Sequence, residues 1–359
     1  MGIKRHSLLL ILLCVFFIFP SCNVNTSLSK NLYGIKLKEV KATVSSAYFL
    51  SEAGTLYCTG TDSDASSFAV FENKKENIVA KNVRFFTEIT NGGCFINQNN
   101  DLYIWNKNNL PLYNYNQSDG IKKVKNNIKY VDSYSRAIIY VDNDLNLFLI
   151  GVFGGKEYKI DSPKFLADNV SFATIHNSCV VWFDKNGNFS WFGKEQDFFV
   201  EELQIKFADK SISQIGLTDK FLLVLSNDEL WFVGDYSFLC SGIESKKNSF
   251  KLLCNNVSSF SCDTKTIGTI TNNKELFVWG RCISNDQKNT ETPEFEYYEK
   301  LKLTDDAINI YVSDSFICYI DTFLSSNIYH DGGWEYFYGN STQDTCVGIN
   351  RAPVKWERK

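Results

Sequence analysis

Seven copies of one short run, set at near-regular intervals, predict an all-β fold: a seven-bladed β-propeller in which each copy is one strand of a sheet. The clearest copy is Leu276-Phe277-Val278-Trp279-Gly280. The others occupy 56–60, 102–106, 147–151, 189–193, 230–234 and 335–339, and their last residues are 46, 45, 42, 41, 46 and 59 positions apart. A period of roughly 20 to 50 residues belongs to propellers and solenoids. The second observation is a shared grammar of apolar strand, polar turn and motif strand. The third is the lack of helical periodicity, which argues against a solenoid of paired helices.

Each element follows from local chemistry. Apolar runs at 47–50, 94–96, 137–140, 179–183, 221–225, 267–270 and 316–320 precede the motifs, and turn formers such as Asn99-Asn100-Asp101 and Asp184-Lys185-Asn186-Gly187 separate most of them from the motif. Such clusters between β-rich runs signal antiparallel hairpins. The seventh repeat has the long stretch 321–334 instead, which accounts for its 59-residue step. Further β-rich runs at 83–86, 128–131, 170–173, 212–215, 257–260 and 308–312 lead into the next repeat. Pro163, Pro293 and Pro353 follow the motif ends Gly151, Gly280 and Gly339 by 12, 13 and 14 residues. Proline cannot donate to a ladder and suits an edge strand. Closing the sheets into a ring leaves only short, protected edges. The terminal segment Ala352-Pro353-Val354-Lys355-Trp356 is expected to complete the first sheet, with the run 35–44 as the competing strand.

Residues 1–22 read as an export signal: Lys4 and Arg5, twelve apolar residues at 8–19, then Pro20-Ser21-Cys22. Twelve apolar residues are too few to span a bilayer. A small residue before Cys22 resembles the lipobox of bacterial lipoproteins, which implies acylation of Cys22 and anchoring outside the cytoplasm on the cell membrane or outer membrane. Residues 23–31 then serve as a polar tether, and 32–359 form the propeller.

The motif with its apolar strand and Asp/Asn/Gly turn resembles the repeat of the regulator of chromosome condensation family, a seven-bladed propeller. The most specific copies are Glu275-Leu276-Phe277-Val278-Trp279-Gly280 and the stretch 178–193. The family's Gly-Gln-Leu-Gly run survives only as Phe238-Leu239-Cys240-Ser241-Gly242 and Thr345-Cys346-Val347-Gly348. The Gly-His and Trp-Asp pairs of WD repeats are absent. The resembled family includes a nuclear exchange factor and binding proteins of other kinds, so it implies a binding fold without choosing a role.

Composition narrows the function. The chain is 44% hydrophobic and 15% aromatic, far from the profile of disorder. Its 37 basic and 41 acidic residues give a net charge of −4, and loss of Lys4 and Arg5 with the leader makes the mature chain more acidic still. Nucleic-acid binding needs a cationic footprint, and the short cluster Lys122-Lys123-Val124-Lys125 reads as a solvated face. The histidines are His6, His176 and His330 alone, and neither His-Glu-x-x-His, a P-loop, Gly-x-Ser-x-Gly nor Cys-x-x-Cys occurs. The sequence therefore points to no metal, cofactor or catalytic constellation. Ala47, Cys94, Ala137 and Cys179 read as one column of small apolar side chains. The motif aromatics Tyr57, Tyr103, Trp105, Trp191, Trp231, Trp279 and Tyr338 recur too regularly to be a ligand cage and read as core.

The aromatics that follow motif glycines, Phe153, Phe198, Tyr236 and Phe238, are the candidate binding residues, expected on loops at one rim. The function expected is that of a monomeric, noncatalytic, lipid-anchored binding propeller for a protein or glycan. The alternative is an extracytoplasmic hydrolase with rim carboxylates such as Asp235 and Glu195.

Overall fold

The computed structural model describes residues 36–42, 46–60, 78–106, 108–110, 112–154, 158–194, 207, 211–234, 250–264, 266–280, 301–312, 316–322 and 326–330. They form seven antiparallel sheets. The first sheet holds β1 (Leu37–Ala42), β2 (Ser46–Ser51), β3 (Leu56–Gly60) and β4 (Ile78–Ala80). The second holds β5 (Val83–Ile89), β6 (Gly92–Asn97), β7 (Leu102–Asn106) and β8 (Lys122–Lys125). The third holds β9 (Ile128–Tyr134), β10 (Arg136–Asp142), β11 (Leu147–Phe153) and β12 (Tyr158–Ala167), and the fourth β13 (Val170–His176), β14 (Cys179–Asp184) and β15 (Phe189–Gly193). In the fifth are β16 (Ile212–Leu217), β17 (Phe221–Ser226), β18 (Glu229–Gly234) and β19 (Lys251–Cys254). The sixth contains β20 (Val257–Asp263), β21 (Thr266–Thr271), β22 (Leu276–Gly280) and β23 (Leu301–Thr304), and the seventh β24 (Ala307–Val312), β25 (Phe316–Asp321) and β26 (Ser326–His330).

The first strand of each sheet lies innermost. Consecutive innermost strands touch, and β24 meets β1. Polar side chains tie them: Arg84 Nη2 donates to the Lys129 carbonyl (2.9 Å), Thr174 Oγ1 to Asp132 Oδ2 (2.8 Å), and Gln214 exchanges two bonds with the Phe260 backbone (2.6 and 3.1 Å). Between the last sheet and the first, Val40 N–H donates to Asn309 Oδ1 (3.4 Å).

Motif chemistry follows from sheets covered on both faces. Position one of the motif is buried in all six described copies, as Leu56, Leu102, Leu147, Phe189, Leu230 and Leu276. Position two is half-buried, and position three is buried except at Trp191, which is 40% exposed. Trp105 and Trp279, at position four, are buried, so the core reading holds for them and fails for Trp191. The final glycine is needed where the motif closes with positive φ, inside β11 at Gly151 (117°) and at the strand ends Gly193 (106°) and Gly234 (131°). A Cβ on Gly234 would stand 2.4 Å from the carbonyl oxygen of Lys220, the residue just before the paired strand β17.

A repeating clamp joins sheet to sheet. The turn between the second and third strands carries a left-handed residue whose carbonyl accepts from the first N–H of the next innermost strand: Gly54 from Val83 (2.8 Å), Asn100 from Ile128 (2.8 Å), Leu145 from Val170 (3.0 Å), Asp228 from Val257 (2.9 Å) and Lys274 from Ala307 (2.9 Å). Entry into several innermost strands is itself left-handed, at Asn82, Asn127, Asn169 and Asn256. Asparagine tolerates that conformation far better than branched residues do.

Three expectations change. The first sheet takes its innermost strand from the N-terminal run, because Leu37–Ala42 pairs with β2; the segment 352–356 lies outside the described residues. The partner of β25 is Ser326–His330, not the motif copy at 335–339, which also lies outside them. His330 faces Phe316 as Gly234 faces Phe221, so the turn is short and the seventh step is 50 residues, from position 280 to 330. The column of small residues is not one column: Ala137 and Cys179 face Gly151 and Gly193, whereas Ala47 faces Thr59 and Cys94 faces Ile104. Burial of Cys94, Ala137 and Cys179 stands. Pro163 sits where β12 bulges away from β11, between the pairs Leu149↔Lys164 and Gly151↔Ile160.

Candidate functional site

Strand direction sorts the connections into two rims. The clamped turns and the entries to the innermost strands share one rim. The other carries the turns between first and second strands together with every connection that leaves a motif strand, after Gly60, Asn106, Phe153, Gly193, Gly234 and Gly280. The described part of one such connection is held tightly. Tyr115 is buried, its hydroxyl oxygen accepts from Asn106 N–H (3.0 Å), and the Asn106 and Gly120 carbonyls lie within donating reach (3.0 and 2.8 Å).

Phe153 does not present its ring at this rim. It is 1% exposed, because β11 runs two residues past Gly151 and pairs Phe153 with Tyr158. Its ring stacks on Phe192 at 6.0 Å and fills the space beside Gly193. Phe198, Tyr236, Phe238, Cys22, Asp235 and Glu195 lie outside the described residues. Phe198 therefore follows Gly193, and Tyr236 and Phe238 follow Gly234, in connections that depart from this rim.

The innermost strands also enclose a cavity of about 830 Å³. Its wall contains four carboxylates, Glu39, Glu88, Asp132 and Asp263, with Lys41 and His176. Lys41 Nζ lies 3.7 Å from Glu39 Oε1 and 5.0 Å from the centre of the Phe85 ring. Glu88 accepts a hydrogen bond from the Tyr311 hydroxyl. Burial alone would lower the Lys41 ammonium, but the attraction of Glu39, Glu88 and Asp132 outweighs it and holds the group charged. One ammonium cannot compensate three carboxylates, and burial pushes the Glu39 and Asp132 carboxyls above their ordinary range in spite of it. At the rim end of the cavity, His176 is nine-tenths buried, its ring tilted against Tyr134 with centres 4.2 Å apart. Its Nδ1 lies 3.4 Å from Asp219 Oδ1, and the imidazole, with Asn177, draws the Asp219 carboxyl below the usual carboxylate range. Among the described residues no group of three or more His, Cys, Asp or Glu is placed to hold a metal ion.

No family model and no curated protein matches the chain. Solved structures do. Yeast RCC1 (Prp20) bound to Kap60 is similar at a TM-score of 0.60 and 13% identity, over 78% of this chain and 79% of that one. Human WBSCR16 is similar at 0.61 and 11% identity, over 80% and 88%. The CRINKLY WD40 ectodomain of the Arabidopsis thaliana receptor kinase ACR4 gives 0.53 and 9%, over 82% and 96%. The fold is a β-propeller. At these identities the likeness speaks to the fold alone.

Sequence reasoning missed the cavity groups. Their signal is visible only when the innermost strands are superposed by register. Two residues beyond the bulge, a polar column of Lys41, Thr87, Asp132, Thr174 and Ser261 follows a buried column of Val40, Phe86, Val131, Ala173 and Phe260.

Proposed function

We infer that the protein is a noncatalytic binding propeller of seven blades, anchored through Cys22 outside the cytoplasm, that takes a protein partner on the rim from which the motif strands depart. The observation that carries this reading is the asymmetry of the rims. One rim has its turn carbonyls committed to a clamp repeated at five junctions between sheets, while the other, tied at Thr90–Ser135 and Gly154–Asn177, releases the long connections that follow the motif strands. Propellers with this division have a scaffold side and a side free to vary, and loops on a rigid scaffold are where recognition concentrates. Seven sheets whose innermost strands touch in cyclic order support the blade number. Tyr236 and Phe238 are the proposed anchors, with Phe198 beside them, because aromatic side chains dominate interface energies. The yeast structure in which Prp20 binds Kap60 is consistent with protein recognition by this fold.

The test is affinity capture from a membrane-envelope extract with the full chain and with the double variant Tyr236→Ala, Phe238→Ala. A partner recovered by the parent and weakened at least tenfold by the variant, at unchanged melting temperature, supports the reading. Equal recovery by both sinks the rim assignment. Fractionation of Cys22→Ser tests the anchor separately: retention on the membrane would exclude acylation as its cause.

A further inference from the structure

We propose that the central cavity is a binding site for an alkylammonium group, carried either by a free amine or by a lysine side chain. The cavity itself displays how such a group is held. Lys41 is a resident alkylammonium, seated 5.0 Å over Phe85, 5.5 Å over Phe86 and 3.7 Å from Glu39. Charge around it is unbalanced, since Glu39, Glu88, Asp132 and Asp263 share the wall with this one ammonium. A second observation is independent of that count. Glu88 Oε1 accepts the Tyr311 hydroxyl, but Oε2 is buried with no hydrogen-bond partner. A buried carboxylate oxygen without a donor is the feature a second ammonium would satisfy.

The wall also offers the apolar half of such a ligand. Phe85, Tyr130 and Phe172 occupy the same register position on three successive innermost strands, with ring centres 5.6 and 5.7 Å apart. All three line the cavity and are half-buried, so their rings form a continuous aromatic arc adjoining Asp132 and Lys41. Methylenes lie against such rings while the ammonium reaches a carboxylate, which combines cation–π attraction with a charged hydrogen bond. A volume of about 830 Å³ is within the range of small-ligand sites. Phosphate or carboxylate ligands are disfavoured by the same net negative wall.

Isothermal titration of the full chain with putrescine, and separately with a short lysine-bearing peptide, tests this, with 1,4-butanediol as the uncharged isostere. Saturable binding of one equivalent of putrescine, absent for butanediol and at least tenfold weaker in Asp132→Asn and Glu88→Gln, is the expected result. Peptide binding that putrescine displaces assigns the site to a partner's lysine, and binding of putrescine alone assigns it to free amines. Should a variant fail to fold, Phe172→Leu replaces it, with the same weakening expected. No binding of either probe, equal binding of butanediol, or affinity unchanged in the variants overturns the proposal.

Discussion

Gly234→Ala isolates the physical reason for the motif's last residue. Gly234 ends β18 at φ 131°, opposite Phe221 on β17. Two costs arise on adding a methyl group. The backbone conformation is one that L-residues occupy only under strain, about 1–3 kcal/mol. The new Cβ would also lie 2.4 Å from the Lys220 carbonyl oxygen and 2.6 Å from Phe221 Cα. Those are backbone atoms at the start of the paired strand β17 and just before it, so the overlap is relieved only by moving the ladder, at about 1–3 kcal/mol. The sum is about 2–6 kcal/mol, centred near 4. At roughly 2 °C per kcal/mol for a domain this large, the melting temperature falls by about 8 °C. Urea unfolding followed by tryptophan fluorescence reads the same quantity as a shifted midpoint. Gly154→Asn is the control, because φ 63° at that position is one asparagine adopts. A Gly234→Ala midpoint within about 0.5 kcal/mol of the parent would refute the argument that strand-end geometry selects glycine.

Trp279→Ala removes a side chain buried among Phe232, Phe260 and Ile267, and is expected to destabilise by about 3–5 kcal/mol in the same assay. Asn127→Val forces a branched residue to φ 61° and should cost about 1–2 kcal/mol, whereas Asn127→Gly should stay within about 0.5 kcal/mol, since the clamp to Asn143 N–H uses only the carbonyl. Glu39 and Asp132 have folded pKa values above their ordinary 4.5 and 3.8, so the folded protein holds protons the unfolded chain has released. Their contribution is complete below the unfolded values and is lost as pH rises through the folded ones; Asp132→Asn should therefore gain stability relative to the parent as pH rises above about 4, and parallel profiles would contradict the shift. Burial pushes the Cys179 thiol up to about 12 and Cys94 higher still, so alkylation of both should proceed only at the unfolding rate, read by mass spectrometry of labelled peptides.

Legibility in the sequence tracks the length scale of the signal. The motif strand is visible because Leu-aromatic-apolar-aromatic-Gly alternates over two covered faces and ends on a conformation few residues adopt. The second strand is visible as an apolar run such as Phe221–Ser226, buried throughout. Ser326–His330 escapes notice because it has neither the leading leucine nor the final glycine, and the aromatic run at 335–339 matches the motif better. Phe153 is misplaced by the motif because strand length is not encoded at the glycine: β11 stops at Gly151 by motif and at Phe153 by pairing. The cavity groups are a harder case. Glu88 on one strand meets Tyr311 on another 223 residues away, a contact that only closure of the sheets creates.

Closure also explains why the two rims carry different chemistry. At the clamped rim each turn must present a left-handed carbonyl to the next sheet, so Gly54, Asn100, Leu145, Asp228 and Lys274 differ in side chain but share one backbone shape, φ 61–79°. Side chains there are free to vary only within that shape. At the opposite rim the ties between sheets are of another kind: Thr90 N–H donates to the Ser135 carbonyl (2.8 Å) and Gly154 N–H to the Asn177 carbonyl (3.2 Å). The described loop around Tyr115 is secured by its own hydroxyl and by packing of Leu110, Tyr113 and Tyr115 on the third sheet. The cavity lies between the two regimes: its walls are innermost strands, fixed by the ladder, and its carboxylates are only partly engaged in joining them, Asp132 through Thr174 and Ile175 and Glu88 through Tyr311. Glu88 shows the limit of that engagement: one carboxylate oxygen joins Tyr311 across the ring, while the other is buried without a hydrogen-bond partner, a cost that ladder formation does not explain.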